Sequence, residues 1–177
     1  MPKSNNDSTH SKKAGVSPVS HPFPPIIFPD SKILILGSFP SLKSFENSFY
    51  YAHPRNQFWP LLSAIFDMPV ATREEKRALL ERHKIALWDV VQSCERTNSA
   101  DTNLQNCRCN DIEKLLKTHP KIEAVFFTGK KAQQLFKHCF PGLQIRQELL
   151  PSPSPAYAAM RFEEKLKRWK EVLRVES

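Results

Sequence analysis

The sequence predicts an α/β protein: a three-layer α/β/α sandwich built on a central, mainly parallel four-stranded sheet. Three observations lead there. Apolar runs at residues 32–36, 85–91 and 122–127 read as buried strands, and a fourth strand at 143–149 follows the Pro141-Gly142 turn. Between them lie stretches with apolar side chains at helical spacing. Strands that alternate with helices pair in parallel through right-handed crossovers and set helices on both faces of the sheet. At 177 residues the chain fits one domain with a sizeable core, and neither an internal repeat nor a second domain is visible.

Residues 1–25 are rich in Ser, Asn and Lys and then in Pro, with few large apolar side chains. They are expected to form a disordered tail, because burial cannot offset their ordering entropy; residues 26–177 form the domain. After the first strand a helix is expected over 57–66, with Phe58, Trp59, Leu62, Ile65 and Phe66 on one face and Pro60 in the first turn, where proline is tolerated. Thr72 followed by Arg73, Glu74 and Glu75 reads as a cap and acidic first turn for a helix to residue 82. The polar, aperiodic residues 92–110 read as a long loop, and loops of that length inside compact domains are usually functional. A short helix over 111–118 uses Ile112, Leu115 and Leu116, and another after Thr128-Gly129 turns Ala132, Leu135, Phe136 and Cys139 inward. Phe162, Leu166, Trp169 and Leu173 mark an amphipathic last helix whose other side, with Lys165, Arg168 and Lys170, is expected to face solvent.

Lysine and arginine number 26 against 18 acidic residues, a formal charge of +8; without residues 1–25 the balance is 23 to 17, so the domain itself is basic. A basic domain favours a polyanionic partner through steering and counter-ion release. No apolar run approaches the ~20 residues of a membrane span, and the N-terminus lacks the apolar block of a secretory signal. An intracellular monomer with no membrane partner is expected. Cys94, Cys107, Cys109 and Cys139 form no CxxC pair and have no histidine at zinc spacing, so reduced thiols and no metal or iron–sulfur site are expected. The four glycines, at 15, 37, 129 and 142, allow no GxGxxG and no Walker A loop, and no GxSxG elbow exists. No cofactor is implied.

What remains are two loops of unusual composition after buried strands, where open α/β sheets build their sites. They contain Gly37-Ser38-Phe39-Pro40-Ser41, then Ala52-His53-Pro54-Arg55-Asn56-Gln57-Phe58-Trp59, and Leu150-Pro151-Ser152-Pro153-Ser154-Pro155. With these motifs the sequence resembles the uracil-DNA glycosylase superfamily over about residues 32–173. The spacing is similar to the mismatch-specific branch, and the first motif looks closer to the hypoxanthine-DNA (deoxyinosine) glycosylase branch.

That resemblance implies a monofunctional DNA glycosylase that flips a deaminated base out of double-stranded DNA and hydrolyses its N-glycosidic bond in base excision repair, hypoxanthine before uracil. It implies Tyr51 as the stacking aromatic, with a tyrosine merely packed in the loop as the rival role. Gly37, Ser38, Phe39 and His53 would line the base pocket. Phe39 stands where related branches carry a water-positioning Asn or Asp, so the task passes to Asn56, whose rival role is a helix cap. The third motif would meet phosphates through Ser152 and Ser154 and insert Pro155, Ala156 or Tyr157 into the duplex. Asp89, interrupting its apolar strand, is a site carboxylate or a strand-end cap; Lys130 and Lys131 meet phosphates at a helix start or face solvent. Two alternatives accompany this reading: a damaged-DNA-binding protein without catalysis, suggested by Phe39, and a G·U mismatch uracil-DNA glycosylase.

Overall fold

A computed structural model describes residues 17–20, 23–39, 49–96 and 104–173. Its elements in chain order are β1 (Ser17–Ser20), β2 (Ile33–Gly37), α1 (Phe58–Phe66), α2 (Arg73–Arg82), β3 (Ile85–Asp89), β4 (Val91–Arg96), β5 (Leu104–Cys109), α3 (Ile112–Thr118), β6 (Ala124–Thr128), α4 (Lys130–Cys139), β7 (Arg146–Leu150) and α5 (Phe162–Leu173). Four strands pair in parallel in the order β3-β2-β6-β7. The central pair, β2 and β6, contributes Leu34, Ile35, Leu36, Val125, Phe126 and Phe127, all with no exposed surface. A strand covered on both faces needs apolar side chains at every position, which is what made these runs continuous in the sequence.

Alternate residues feed two cores. Ile33, Ile35, Leu87 and Phe126 pack on one face with Phe58, Leu61 and Leu62 of α1, Leu79 and Leu80 of α2, and Trp169 and Leu173 of α5. Leu34, Leu36, Val125 and Phe127 pack on the other with Ile112 of α3 and Ala132 and Phe136 of α4. The three-layer sandwich predicted from the sequence is the observed architecture. Local signals also hold: Thr72 and Glu75 form a reciprocal capping box at the start of α2, and Asp111 accepts from the Lys114 amide at the start of α3.

Four expectations are corrected. The stretch read as a loop contains β4 and β5, an antiparallel pair that joins β1 in a separate three-stranded sheet. Its register shifts between Val91 and Ser93 and again between Ser93 and Glu95, which erases the two-residue alternation that would reveal a strand. Ser17–Ser20, within the stretch expected as a tail, forms β1 against β4; residues 1–16, 21 and 22 lie outside the described residues. Cys109 and Cys139 are joined by a disulfide, bringing the ends of β5 and α4 together across a separation of 30 residues that no local spacing rule can detect. Lys165, assigned to a solvated helix face, is 1% exposed.

At the end of α2, His83 stacks on Phe66 with ring centroids 3.8 Å apart, and its Nε2 is buried without a hydrogen-bond partner. Burial first, and the neighbouring Arg82 second, lower its pKa below the ordinary imidazole value. The unfolded chain therefore binds more protons in this range. Stability is full above the unfolded value of about 6.5 and is lost as pH falls toward the folded one. The thermal midpoint is expected to drop between about pH 7.5 and pH 5, and to drop less in His83→Phe, which keeps the stack and removes the titration; equal slopes in the two proteins would remove His83 as the cause.

Candidate active site

The parallel register brings the carboxyl ends of four strands level. Gly37 of β2 pairs with Asp89 of β3, Leu36 with Phe127, and Thr128 of β6 with Leu150 of β7. Asp89, Gly37, Thr128 and Leu150 therefore stand in one row along the edge from which the site loops depart.

Gly37 is the low point of that row. A Cβ at this position would collide with Asp89 Oδ1 and would lie 3.0 Å from the Tyr51 hydroxyl and 3.5 Å from Thr128 Oγ1. A carboxylate, a phenol and an alcohol thus converge over a backbone without a side chain, the close approach for which glycine is suited. Asp89 is 4% exposed. Its backbone is fixed from behind: Asn110 Nδ2 donates to the Asp89 carbonyl at 2.8 Å, and the Asn110 amide to the Val90 carbonyl at 2.8 Å. Ser38 and Phe39 follow Gly37 and are both buried. Phe39 packs in the core on the α3 and α4 side, so its ring is a core element; Pro40 and Ser41 lie outside the described residues.

Tyr51 has φ 54°, in the left-handed region that non-glycine residues seldom occupy. Contacts of its ring and of its hydroxyl help to hold it there. Its ring stacks on Phe58, with centroids 3.9 Å apart and planes 10° from parallel, and its hydroxyl is 3.0 Å from Thr128 Oγ1. The preceding Tyr50 anchors the same loop: its buried hydroxyl donates to the Pro24 carbonyl, and its own carbonyl accepts from Trp59 Nε1. Burial chiefly, then the charges of Asp89 and Tyr51, push the Tyr50 phenol far above its ordinary pKa and keep it a donor.

The second motif turns tightly into α1. His53 Nδ1 accepts from the Arg55 amide at 3.0 Å, which puts the proton of the neutral imidazole on Nε2, and the His53 carbonyl accepts from the Asn56 amide. Asn56 Oδ1 accepts from the Phe58 amide at 2.9 Å; Gln57 is the N-cap residue, so Asn56 satisfies an orphan amide of the helix start from one position before the cap. One lone pair of that oxygen and the whole amide group remain outside this bond.

The third motif leaves β7 and lies against α1 and α5. Gln57 donates its amide to the Pro153 carbonyl, and Trp169 Nε1 donates to the Pro151 carbonyl, each at 2.9 Å. Ser152 Oγ accepts from the Ser154 amide and Ser154 Oγ from the Ala156 amide, so both hydroxyls brace the turn and keep their O–H free to donate outward. Pro155, Ala156 and Tyr157 are exposed, and Tyr157 is 39% exposed. Gly129, at φ 112°, sits beneath Ser152, where a Cβ would come within 3.3 Å of the serine Cβ. Lys130, exposed, and Lys131, half-buried, open α4 just beyond it.

The structure thus brings Gly37, Tyr51 and Asp89 together, keeps Asn56 and His53 in the adjoining turn, and sets Ser152 to Tyr157 beside them. Thr128, Tyr50 and Asn110 were not singled out as site residues in the sequence, although Thr128-Gly129 at a strand end marked the position. Among the described residues no three His, Cys, Asp or Glu side chains are grouped to hold a metal ion, and no helix is long and apolar enough to cross a membrane.

Comparison with known proteins shows the family to which this fold belongs. Hypoxanthine DNA glycosylase of Methanosarcina barkeri (strain Fusaro / DSM 804) is 38% identical over 112 residues, covering 62% of this chain and 71% of the relative. Hypoxanthine DNA glycosylase of Methanosarcina acetivorans is 32% identical over 136 residues, covering 76% of this chain and 85% of the relative. The solution NMR structure of a uracil DNA glycosylase candidate from Methanosarcina acetivorans superposes with a TM-score of 0.75 at 30% identity, over 87% of this chain and 96% of that one. Residues 24–174 match the Uracil DNA glycosylase superfamily, and the chain belongs to that family.

Proposed function

We propose that this DNA glycosylase hydrolyses the N-glycosidic bond of a deaminated base flipped out of double-stranded DNA, with hypoxanthine preferred and uracil a lesser substrate. The observation that carries the reading is the convergence of Asp89, Tyr51 and Thr128 over Gly37. An everted base lies against the Tyr51 ring, whose far face is backed by Phe58. Deamination turns a ring nitrogen of adenine or cytosine from a lone-pair acceptor into an N–H donor. A buried carboxylate accepts from that N–H and repels the lone pair of the parent base, so Asp89 selects the class of lesion.

Water is the nucleophile. Asn56 holds it through the Oδ1 lone pair and amide protons that the bond from the Phe58 amide leaves available. Buried Phe39 cannot take this role. Positive charge develops on the sugar as the bond breaks, and the lesion strand's phosphates and the Asp89 carboxylate stabilise it electrostatically. His53 donates from Nε2 to a base edge or phosphate. Ser152, Ser154, Lys130 and Lys131 hold the backbone, and Tyr157, the large exposed ring of the third motif, fills the gap left by the flipped base. Strand nicking needs an amine that attacks the sugar, and none of the three motifs contains a lysine.

Purified protein incubated with inosine-, uracil- and xanthine-containing duplexes, followed by alkaline cleavage of abasic sites, is expected to release hypoxanthine fastest. Binding of inosine duplex without release of free base would instead identify a lesion binder. In single-turnover assays Asn56→Ala is expected to fold and to lose roughly 10²-fold or more in excision, as when one positioned polar group is deleted; unchanged excision removes Asn56 from the mechanism.

Gly37→Ala is expected to displace the Asp89 carboxylate, because its Cβ has no other room. Excision should fall by about tenfold or more, with a small change in thermal midpoint and with nonspecific DNA binding retained. Wild-type excision by this variant would show that the convergence over Gly37 is not the site.

A further inference from the structure

Lys165 lies in the first turns of α5 and is 1% exposed, yet no carboxylate among the described residues pairs with it. Its Nζ donates to Gln57 Oε1 at 2.8 Å and to the Ser154 carbonyl at 3.5 Å, and it faces the Tyr157 ring at 5.2 Å from the centroid. Gln57 is bound to the same loop a second time through its amide and the Pro153 carbonyl. Burial lowers the lysine pKa, the signature of a charge held where stability alone would not put one. Methionine would fill this site without a desolvation penalty, and replacing buried charge by apolar bulk is often neutral or stabilising. The cost is matched instead by what the ammonium does. It is the point at which α5, the start of α1 and the tip of the third motif meet.

We infer that Lys165 is a positioning residue for the DNA-inserting loop: its ammonium clips Ser154 and Tyr157 to the start of α1 and so fixes the inserting ring relative to Asn56. The inference rests on the reading above that this loop enters the duplex. With the clip gone, Gln57 still holds Pro153 and Trp169 still holds Pro151, so the loop stays attached at its base while its tip is released.

The test uses the full chain and a duplex carrying one inosine beside 2-aminopurine, whose fluorescence rises when its neighbour leaves the stack. Lys165→Met is expected to keep its thermal midpoint or raise it while the flipping signal and single-turnover excision fall about tenfold or more; Lys165→Arg, which restores a cation and its donors, is expected to recover most of both. Tyr157→Ala should be equally impaired, and Lys165→Met combined with it should add little, since both remove the same positioned ring. A folded Lys165→Met that flips and excises like wild type overturns the inference, as do fully additive losses in the double variant. Should Lys165→Met not fold, Gln57→Leu removes the main acceptor without touching the lysine and is expected to give the same loss of flipping; normal flipping there overturns the inference too. Failure of the wild-type protein to release any deaminated base sinks the underlying reading instead, and is distinguishable because it needs no variant.

Discussion

The stacking of Tyr51 on Phe58 is the contact through which the halves of the site are connected. Phe58 is the first residue of α1, fully buried, and it meets Tyr51 face to face, Trp59 edge-on and Trp169 of α5 edge-on at 5.8 Å. Trp169 in turn donates to the Pro151 carbonyl at the root of the third motif. A continuous aromatic column therefore runs from the second motif to the third. It passes through the core, so neither loop can shift without disturbing closely packed side chains. The left-handed backbone at Tyr51 costs on the order of 1–3 kcal/mol, and this column and the Thr128 hydroxyl help to hold it.

The sheet contributes a different constraint. Because β2 pairs in parallel on both sides with strands that end level, its last residue is flanked by Asp89 on one side and Thr128 on the other. Such a row would be closed by any side chain at its centre. Gly37 leaves it open, and Asn110, just past the end of β5, holds the β3–β4 junction by donating to the Asp89 and Val90 carbonyls. The second sheet thus reaches the site through Val91 of β4, whose buried side chain joins the core and whose amide donates to the Ser38 carbonyl, and through buried Asn110 just past β5.

Much of this was legible in the sequence because burial on both faces leaves an unambiguous pattern. Ile33 to Leu36 and Val125 to Phe127 cannot be polar, and the helices that cover them must repeat at helical spacing. The loops at Gly37 and Asn56 stood out by composition, as did the third motif by its prolines. The features that stayed hidden depend on partners far away in the chain. β4 and β5 are held by backbone ladders with register shifts, so their side chains carry no periodic signature. Lys165 has the residue type of a surface position, and its interior partners, the Gln57 side chain 108 residues away and the Ser154 carbonyl, are not visible in its own helix. Cys109 and Cys139 meet only because β5 and α4 end at the same place.

The bond that Asn56 makes at the helix start and the water-holding role proposed for it are compatible for a physical reason. An asparagine free in a loop would have to lose side-chain rotation before it could hold a water molecule, and that loss would weigh on every turnover. Here the bond from the Phe58 amide fixes the carboxamide in advance, and the energy comes from an orphan amide that any helix start must satisfy. The same Phe58 carries the ring under Tyr51. Side-chain amide and aromatic platform are therefore referred to a single residue of a single helix, and their separation is set by backbone geometry rather than by two independent loops. A serine or aspartate at position 56 would satisfy the amide as well. Aspartate would then have no donor left and serine a single O–H on a shorter side chain, whereas asparagine satisfies the amide and still presents two amide protons and a lone pair.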